Sequence, residues 1–268
     1  MIGLNGNISG KPRRFLGRIK RRIFRIMDAA FGPLASDQES WYIDGNQKLP
    51  EVLTMPLLAW MNYHQREVHN QACYWLGQRA LKNPMDAWIY QEIIFEIKPD
   101  LIIEIGNKTG GSTHFLAGIC ELMGHGQVLA LDIDHSVFTA SHPRIEMVTG
   151  DCSSDEILDM VRKKCEGQTV LIIHDADHRA FAVLRDLQNF APFVSPGSYL
   201  IVEDTTMGVP GISGDPDQPV GQFLFPRQNT PLKAVEDFLS ENTNFEVDDS
   251  RERYILTHNY RGYLKRVS

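Results

Sequence analysis

Cysteine is scarce in this 268-residue chain: there are four, none in a C-x-x-C pair, which leaves no disulfide framework and no cysteine-based zinc pattern. The first ten residues are polar and glycine-rich, unlike a secretory signal, so a reducing, cytoplasmic compartment is expected. No stretch approaches the roughly 18 to 20 consecutive apolar residues that span a bilayer. Ile2 in place of glycine removes N-myristoylation. Positive charge is short as well, with 27 Lys and Arg against 34 Asp and Glu, a net of −7. Binding nucleic acid over the whole surface would need clustered cations, so no nucleic-acid partner is expected.

The basic residues that exist are concentrated. Residues 11–28 hold eight Lys or Arg and one acid, which leaves the remainder at −14. Phe15, Leu16, Ile19, Ile23, Ile26 and Met27 recur there mainly at spacings of three and four, the signature of an amphipathic helix with a cationic opposite face. Such an arm packs on its own acidic body or on a second subunit of a homo-oligomer. Its rival role is peripheral contact with an anionic membrane through residues 11–33. We divide the chain into this arm and a loop, residues 1–50, and one catalytic domain with N-terminal helices, residues 51–268.

Helices are expected from about Pro56 to Ala80 and from Asn83-Pro84 to Pro99. From residue 100, short apolar runs alternate with helical patterns: 101–105, 128–131, 145–148, 170–173 and 199–202. Nearly continuous apolar strands separated by helices imply a parallel sheet covered on both faces. Segments 244–248 and 253–258 leave no room for a crossover helix between them and should form an antiparallel hairpin. Residues 205–229 are irregular and rich in Gly and Pro, as lids over the ligand end of a sheet often are; Phe223, Phe225 and Arg227 are its acceptor-contact candidates.

The first strand runs into Glu104-Ile-Gly106-Asn-Lys-Thr-Gly110-Gly111-Ser112 and then a helix. Glycines at such a turn let the backbone approach a ligand, and the helix start offers free N–H groups to an anion. Asp132 closes the second strand about 26 residues after Gly106, where an acid can bind ribose hydroxyls; Asp134 is its rival. Together these point to a nucleoside-containing cofactor. The spacing is neither G-x-G-x-x-G nor a Walker loop. The segment E-I-G-N-K-T-G-G-S resembles the first motif of S-adenosylmethionine-dependent small-molecule O-methyltransferases. That resemblance implies that Glu104, Gly106 and Ser112 surround the methionine part of the cofactor and that Asp132 holds the ribose. It also puts Asp151 at the adenine, unless Asp151 is only a helix cap.

The fourth strand ends in His174-Asp175-Ala-Asp177-His178 and the fifth in Glu203-Asp204. Carboxyl ends of adjacent parallel strands converge on one crevice, so Asp175, Glu203 and Asp204 would surround one point. An all-oxygen set of this kind suits Mg²⁺; the alternative is that the acids are caps or partners of Arg179 and Arg185. The run D-A-D-H, with P-G-S-Y-L-I-V-E-D-T after it, resembles the cephalosporin hydroxylase family, itself similar to sugar and macrolide O-methyltransferases. W-L-G at 75–77, N-P-M-D-A-W-I-Y-Q-E at 83–92, A-V-E-D-F-L at 234–239 and G-Y-L-K-R at 262–266 extend the match over about residues 60–266.

The resemblance implies a Rossmann-like class I methyltransferase fold: a mostly parallel seven-stranded α/β sheet with a C-terminal antiparallel hairpin and a helical N-terminal extension. It further implies S-adenosylmethionine and Mg²⁺ as cofactors, with the ion on Asp175, Glu203 and Asp204 and His178 as the base. The expected reaction is O-methylation of a small-molecule hydroxyl acceptor, a sugar or natural product. The rival readings are the hydroxylation that the family's name suggests and a non-catalytic cofactor-binding subunit; no two-His-one-carboxylate iron set is visible in the sequence.

Overall fold

The computed structural model describes residues 56–69, 72–209 and 227–268. The basic arm, Phe223, Phe225 and the side chain of Arg227 lie outside the described residues. The chain divides into two units, residues 1–60 and 61–268, and the sheet and every candidate site residue belong to the second.

Five strands arise where the apolar runs lie: β3 (Leu101–Ile105), β4 (Gln127–Asp132), β5 (Ile145–Thr149), β6 (Val170–His174) and β7 (Tyr199–Val202). With β8 (Phe245–Val247) and β9 (Tyr263–Arg266) they form one seven-stranded sheet in the order β5-β4-β3-β6-β7-β9-β8. The first five are parallel, and β9 runs antiparallel to both β7 and β8. This is the Rossmann-like methyltransferase architecture.

All of β3 and β6 is buried because both faces are covered. Leu101, Ile103 and Ile105 face the side packed by α4 (Asp155–Cys165), α5 (Ala180–Phe190) and α6 (Pro231–Glu241). Ile102 faces α2 (Pro84–Ile97) and α3 (Gly111–Met123) on the other side. Each fully buried Ile or Leu contributes about 1.5–3 kcal/mol, and the continuous strands carry many of them. The helix boundaries follow local chemistry. Asn83 caps α2 by accepting from Met85 N at 3.1 Å, with Pro84 in the first turn. Ser154 caps α4, which has Asp155 and Glu156 at its start and Arg162, Lys163 and Lys164 at its end.

Two sequence expectations are corrected. The helix expected up to Ala80 stops early: α1 (Leu57–Tyr63) passes into a π-helical turn, His64–His69, and residues 74–79 form a hairpin of β1 (Tyr74–Trp75) and β2 (Gln78–Arg79). Its turn residues Leu76 and Gly77 both have positive φ, which a helix does not accommodate. The partner of β8 is not 253–258 but Tyr263–Arg266, with Val247 paired to Leu264. Residues 253–258 are instead gripped by side chains. Asp86 accepts from Thr257 Oγ1 and from His258 N at 2.8 Å, and Asn83 Nδ2 donates to Leu256 O at 2.6 Å. Among the described residues no helix is long and apolar enough to cross a membrane.

Candidate active site

Backbone hydrogen bonds carry the parallel ladder one residue beyond the strands. Gly106 N donates to Leu131 O at 2.8 Å, Asp175 N to Ile105 O at 2.8 Å and Glu203 N to His174 O at 3.0 Å. The residues that end β3, β4, β6 and β7 are thereby set side by side, and a cavity of about 830 Å³ opens above them. Of the residues singled out from the sequence, Gly106, Ser112, Asp132, Asp134, Asp151, Asp175, His178 and Asp204 line it, Asp134 with both carboxylate oxygens turned to Ser136; Glu104 and Glu203 are buried and do not line it.

At one end of the cavity, Gly106 sits at φ +88°, and a Cβ there would lie 2.1 Å from the carbonyl oxygen of Asp175. Gly106→Ala is therefore expected to cost at least about 2 kcal/mol, the left-handed backbone penalty plus the clash, measured by denaturant unfolding. Asp132 Oδ2 accepts from Asn107 N at 2.7 Å and Lys108 N at 3.1 Å, so this carboxylate shapes the glycine loop as well as facing the cavity. Glu104 is fully buried; Oε2 accepts from Thr113 Oγ1 and from Asn107 Nδ2 at 2.9 Å, which ties the loop to α3. Burial pushes Glu104 up, against the pull of the Lys82 charge. The N-terminus of α3 has no side-chain cap, and its amides remain available to an anion. Asp151 makes a local turn with Ser153, accepting from its N at 2.9 Å, while also lining the cavity.

At the other end, the expected carboxylates separate into two roles. Glu203 and Asp204 are neighbours with different partners, and Asp204 has a left-handed backbone, φ 58° and ψ 21°. Glu203 points inward, where its Oε1 accepts from Lys82 Nζ and from Tyr90 Oη at 2.8 Å. Lys82 Nζ also donates to Asp175 Oδ2 at 2.9 Å. Burial opposes the ammonium's charge, but Asp175 and Glu203 more than offset it and hold Lys82 protonated. Burial, then the Asp175 charge, push Glu203 well above the ordinary carboxylate value. Asp204 pairs with His178, whose Nε2 lies 3.0 Å from Asp204 Oδ2. Burial works against both charges, yet the pairing wins: His178 is pulled up to about 9 and Asp204 is held well below its usual range.

Oxygens of Asp175 and Asp204 and a nitrogen of His178 lie within 4.8 Å of one another. The cap and ion-pair alternative holds for other acids: Arg179 pairs with Asp177 and Arg185 with Asp186. Lys82, Tyr90 and Asn107 were not found from the sequence. Lys82 lies 121 residues from Glu203, and no local pattern joins them.

With the site in place, likeness to known proteins can be assigned. Residues 67–267 match the family described as Rhamnosyl O-methyltransferase/CmcI. A rhamnosyl O-methyltransferase of Mycobacterium leprae (strain TN) is 31 % identical over 201 residues, which cover 72 % of this chain and 82 % of that protein. One from Mycobacterium tuberculosis (strain ATCC 25618 / H37Rv) is 29 % identical over 172 residues, 60 % of this chain and 69 % of that protein. Among solved structures, CmcI with Mg and S-adenosylmethionine superposes with a TM-score of 0.55 at 19 % identity, over 91 % of this chain and 95 % of that one. The apo form of CmcI gives 0.56 at 20 % identity over the same shares, a likeness of fold. The resemblance read from the motifs is borne out, and the chain belongs to the rhamnosyl O-methyltransferase/CmcI family.

Proposed function

We propose that the protein is an S-adenosylmethionine-dependent O-methyltransferase whose acceptor is a hydroxyl of a sugar or other natural product, assisted by Mg²⁺. One observation carries this reading. A single cavity joins a glycine loop with its following carboxylate, Asp132, to the cluster of Asp175, His178 and Asp204. The sugar named for the relatives and the Mg and S-adenosylmethionine of the CmcI structure support it.

At the cofactor end, Asp132 is placed to take ribose hydroxyls, Asp151 faces the adenine side, and Gly106 and Ser112 leave the α3 amides open to the amino-acid carboxylate. Glu104 acts from behind, as a positioning residue for the loop. At the acceptor end three carboxyl groups, Asp175, Glu203 and Asp204, face the ammonium of Lys82 and the imidazole of His178. Three carboxyl groups are an all-oxygen donor set that fits a hard divalent cation, whose charge would also favour the ionised form of Glu203. Asp175 and Asp204 would hold it from the cavity and Glu203 from behind, since both of Glu203's contacts fall on Oε1. Bound there, Mg²⁺ supplies charge that polarises and orients the acceptor hydroxyl.

Methyl transfer breaks the C–S bond of the sulfonium as the acceptor oxygen forms a C–O bond, and the hydroxyl proton must go to a base. With Asp204 at its Nε2, His178 would take this proton at Nδ1 as the neutral imidazole. The pairing that keeps the ring protonated up to about pH 9 would weaken once a cation shares the Asp204 carboxylate, and turnover is expected to rise with pH towards that value.

Labelled methyl from S-adenosylmethionine, screened against glycosides and hydroxylated natural products, is expected to enter an acceptor with Mg²⁺ present and not with a chelator. By calorimetry Asp132→Ala is expected to weaken cofactor binding about 10- to 100-fold, the worth of a lost charged hydrogen bond. No affinity of the wild-type chain for the cofactor would overturn the reading; incorporation indifferent to chelator would remove its metal part.

A further inference from the structure

Beside the acceptor end of the cavity lies a second cluster, and two of its members, His69 and His258, have no part in the reaction above. His69, Asp204 and His258 are all buried, and one ligand atom from each lies within 4.8 Å of the others. His69 ends the π-helical turn and His258 precedes β9, 189 residues away, yet their Nδ1 atoms approach to 2.8 Å with the ring planes 21° apart. His69 Nε2 faces the carbonyl oxygen of Leu81 at 2.5 Å, so Nε2 carries the proton and Nδ1 is a bare lone pair. That is the arrangement in which a backbone carbonyl fixes the tautomer of a metal-binding imidazole.

Asp204 supplies an independent observation. Its Oδ2 is taken by His178, but Oδ1 is buried without a hydrogen-bond partner among the described residues. A buried carboxylate oxygen with no partner costs about 1–3 kcal/mol or more, a cost that a cation on Oδ1 would relieve. His69 and Asp204 also line the cavity, which gives an ion a way in, while His258 closes the site from behind.

We propose that His69, His258 and Asp204 form a second metal site that binds a divalent transition ion, Zn²⁺, and shares the Asp204 carboxylate with the hard-ion site at Asp175. Two nitrogens and one oxygen match the preference of Zn²⁺ for imidazole and carboxylate, whereas Mg²⁺ favours oxygen alone. With Zn–N bonds of about 2.0–2.1 Å, two imidazole nitrogens on a tetrahedral ion sit about 3.3 Å apart. The pair needs to part by only about half an ångström from its present spacing, as the ion replaces the proton shared between the two rings and that proton passes to Nε2 of His258. The ion would fasten the His64–His69 turn to the segment before β9, making one wall of the cavity metal-dependent.

The test uses the full chain, stripped of metal and then held in saturating Mg²⁺. Calorimetry is expected to find one further equivalent of Zn²⁺, which raises the thermal midpoint, and Co²⁺ at the same site is expected to give visible ligand-field absorption. His69→Gln and His258→Gln are each expected to weaken Zn²⁺ at least tenfold, the lower end of what even an outer-shell change costs at a metal site, roughly 10- to 100-fold. Both should abolish the Co²⁺ spectrum and keep the Mg²⁺ isotherm, while Asp175→Asn does the reverse. No Zn²⁺ uptake by the wild-type chain overturns the proposal, as does uptake unchanged in both histidine variants, which would assign the ion to other groups such as the cysteines. Should His258→Gln fail to fold by circular dichroism, His69→Gln and the wild-type titration decide.

Discussion

Asp204→Asn is expected to lower the rate of methyl transfer about a thousandfold while leaving affinity for S-adenosylmethionine within about twofold, because Asp204 belongs to the acceptor end of the cavity. The amide keeps the shape but loses three things: the charge that pairs with His178, the control over which ring nitrogen carries the proton, and a carboxylate oxygen for a cation. Steady-state kinetics with saturating cofactor check the first number and calorimetry the second; a variant within tenfold of wild type would remove Asp204 from the mechanism. The same substitution has a signature in stability. In metal-free protein His178 is raised from its ordinary value to about 9 by Asp204. The folded state therefore binds the imidazole proton more tightly than the unfolded chain. The stabilisation is complete below the unfolded imidazole pKa of about 6.5 and is lost as pH rises through about 9. Thermal midpoints of the wild-type chain in chelator should fall across that window, and those of Asp204→Asn should stay flatter.

Lys82→Met should be the most destabilising single change in the site. Lys82 is 4 % exposed at its side chain and Glu203 5 %, so the substitution leaves two acids facing each other without their cation, one of them in a dry environment. Removing one partner of a buried ion pair costs about 3–5 kcal/mol, which for a domain of this size corresponds to a drop of about 10 °C in the thermal midpoint. The carboxylates then have only an added cation to pair with. Millimolar Mg²⁺ is accordingly expected to restore several degrees in Lys82→Met and to raise the wild-type midpoint less. Equal responses of the two proteins would mean that Lys82 and the added ion do not share these carboxylates.

Much of the architecture could be read in the chain because burial on both faces leaves a simple mark. Val170–Ile173 is apolar without interruption, and only a covered parallel strand or a buried helix carries such a run. The acids that follow each run, Asp132, Asp175 and Asp204, were legible for the same reason, since their positions are counted from the strand ends. Tertiary contacts overrode local preference elsewhere. Tyr254, Ile255 and Thr257 favour a strand, but Asp86, a buried carboxylate bonded to Thr257, His258 N and Tyr263, holds that segment out of the sheet. Tyr74 and Trp75 continue the aromatic spacing of a helix, yet the backbone reverses at Leu76-Gly77 so that Arg79 can pack on Gly111, where a Cβ would lie 1.9 Å from the Arg79 carbonyl oxygen. Lys82, His69 and His258 carry no local pattern at all. Each acquires its meaning from a partner more than 90 residues away or across a turn, and only folding makes the pair.

The left-handed backbone of Asp204 sets a conflict between durability and activity. A non-glycine residue held there costs of order 1–3 kcal/mol, and asparagine or glycine would adopt the same angles with less strain. Either replacement also forfeits the pairing with His178, so a screen for heat resistance should admit them only above about pH 9, where that pairing no longer stabilises the fold. Survivors at that pH should keep the fold, keep the cofactor loop and lose turnover.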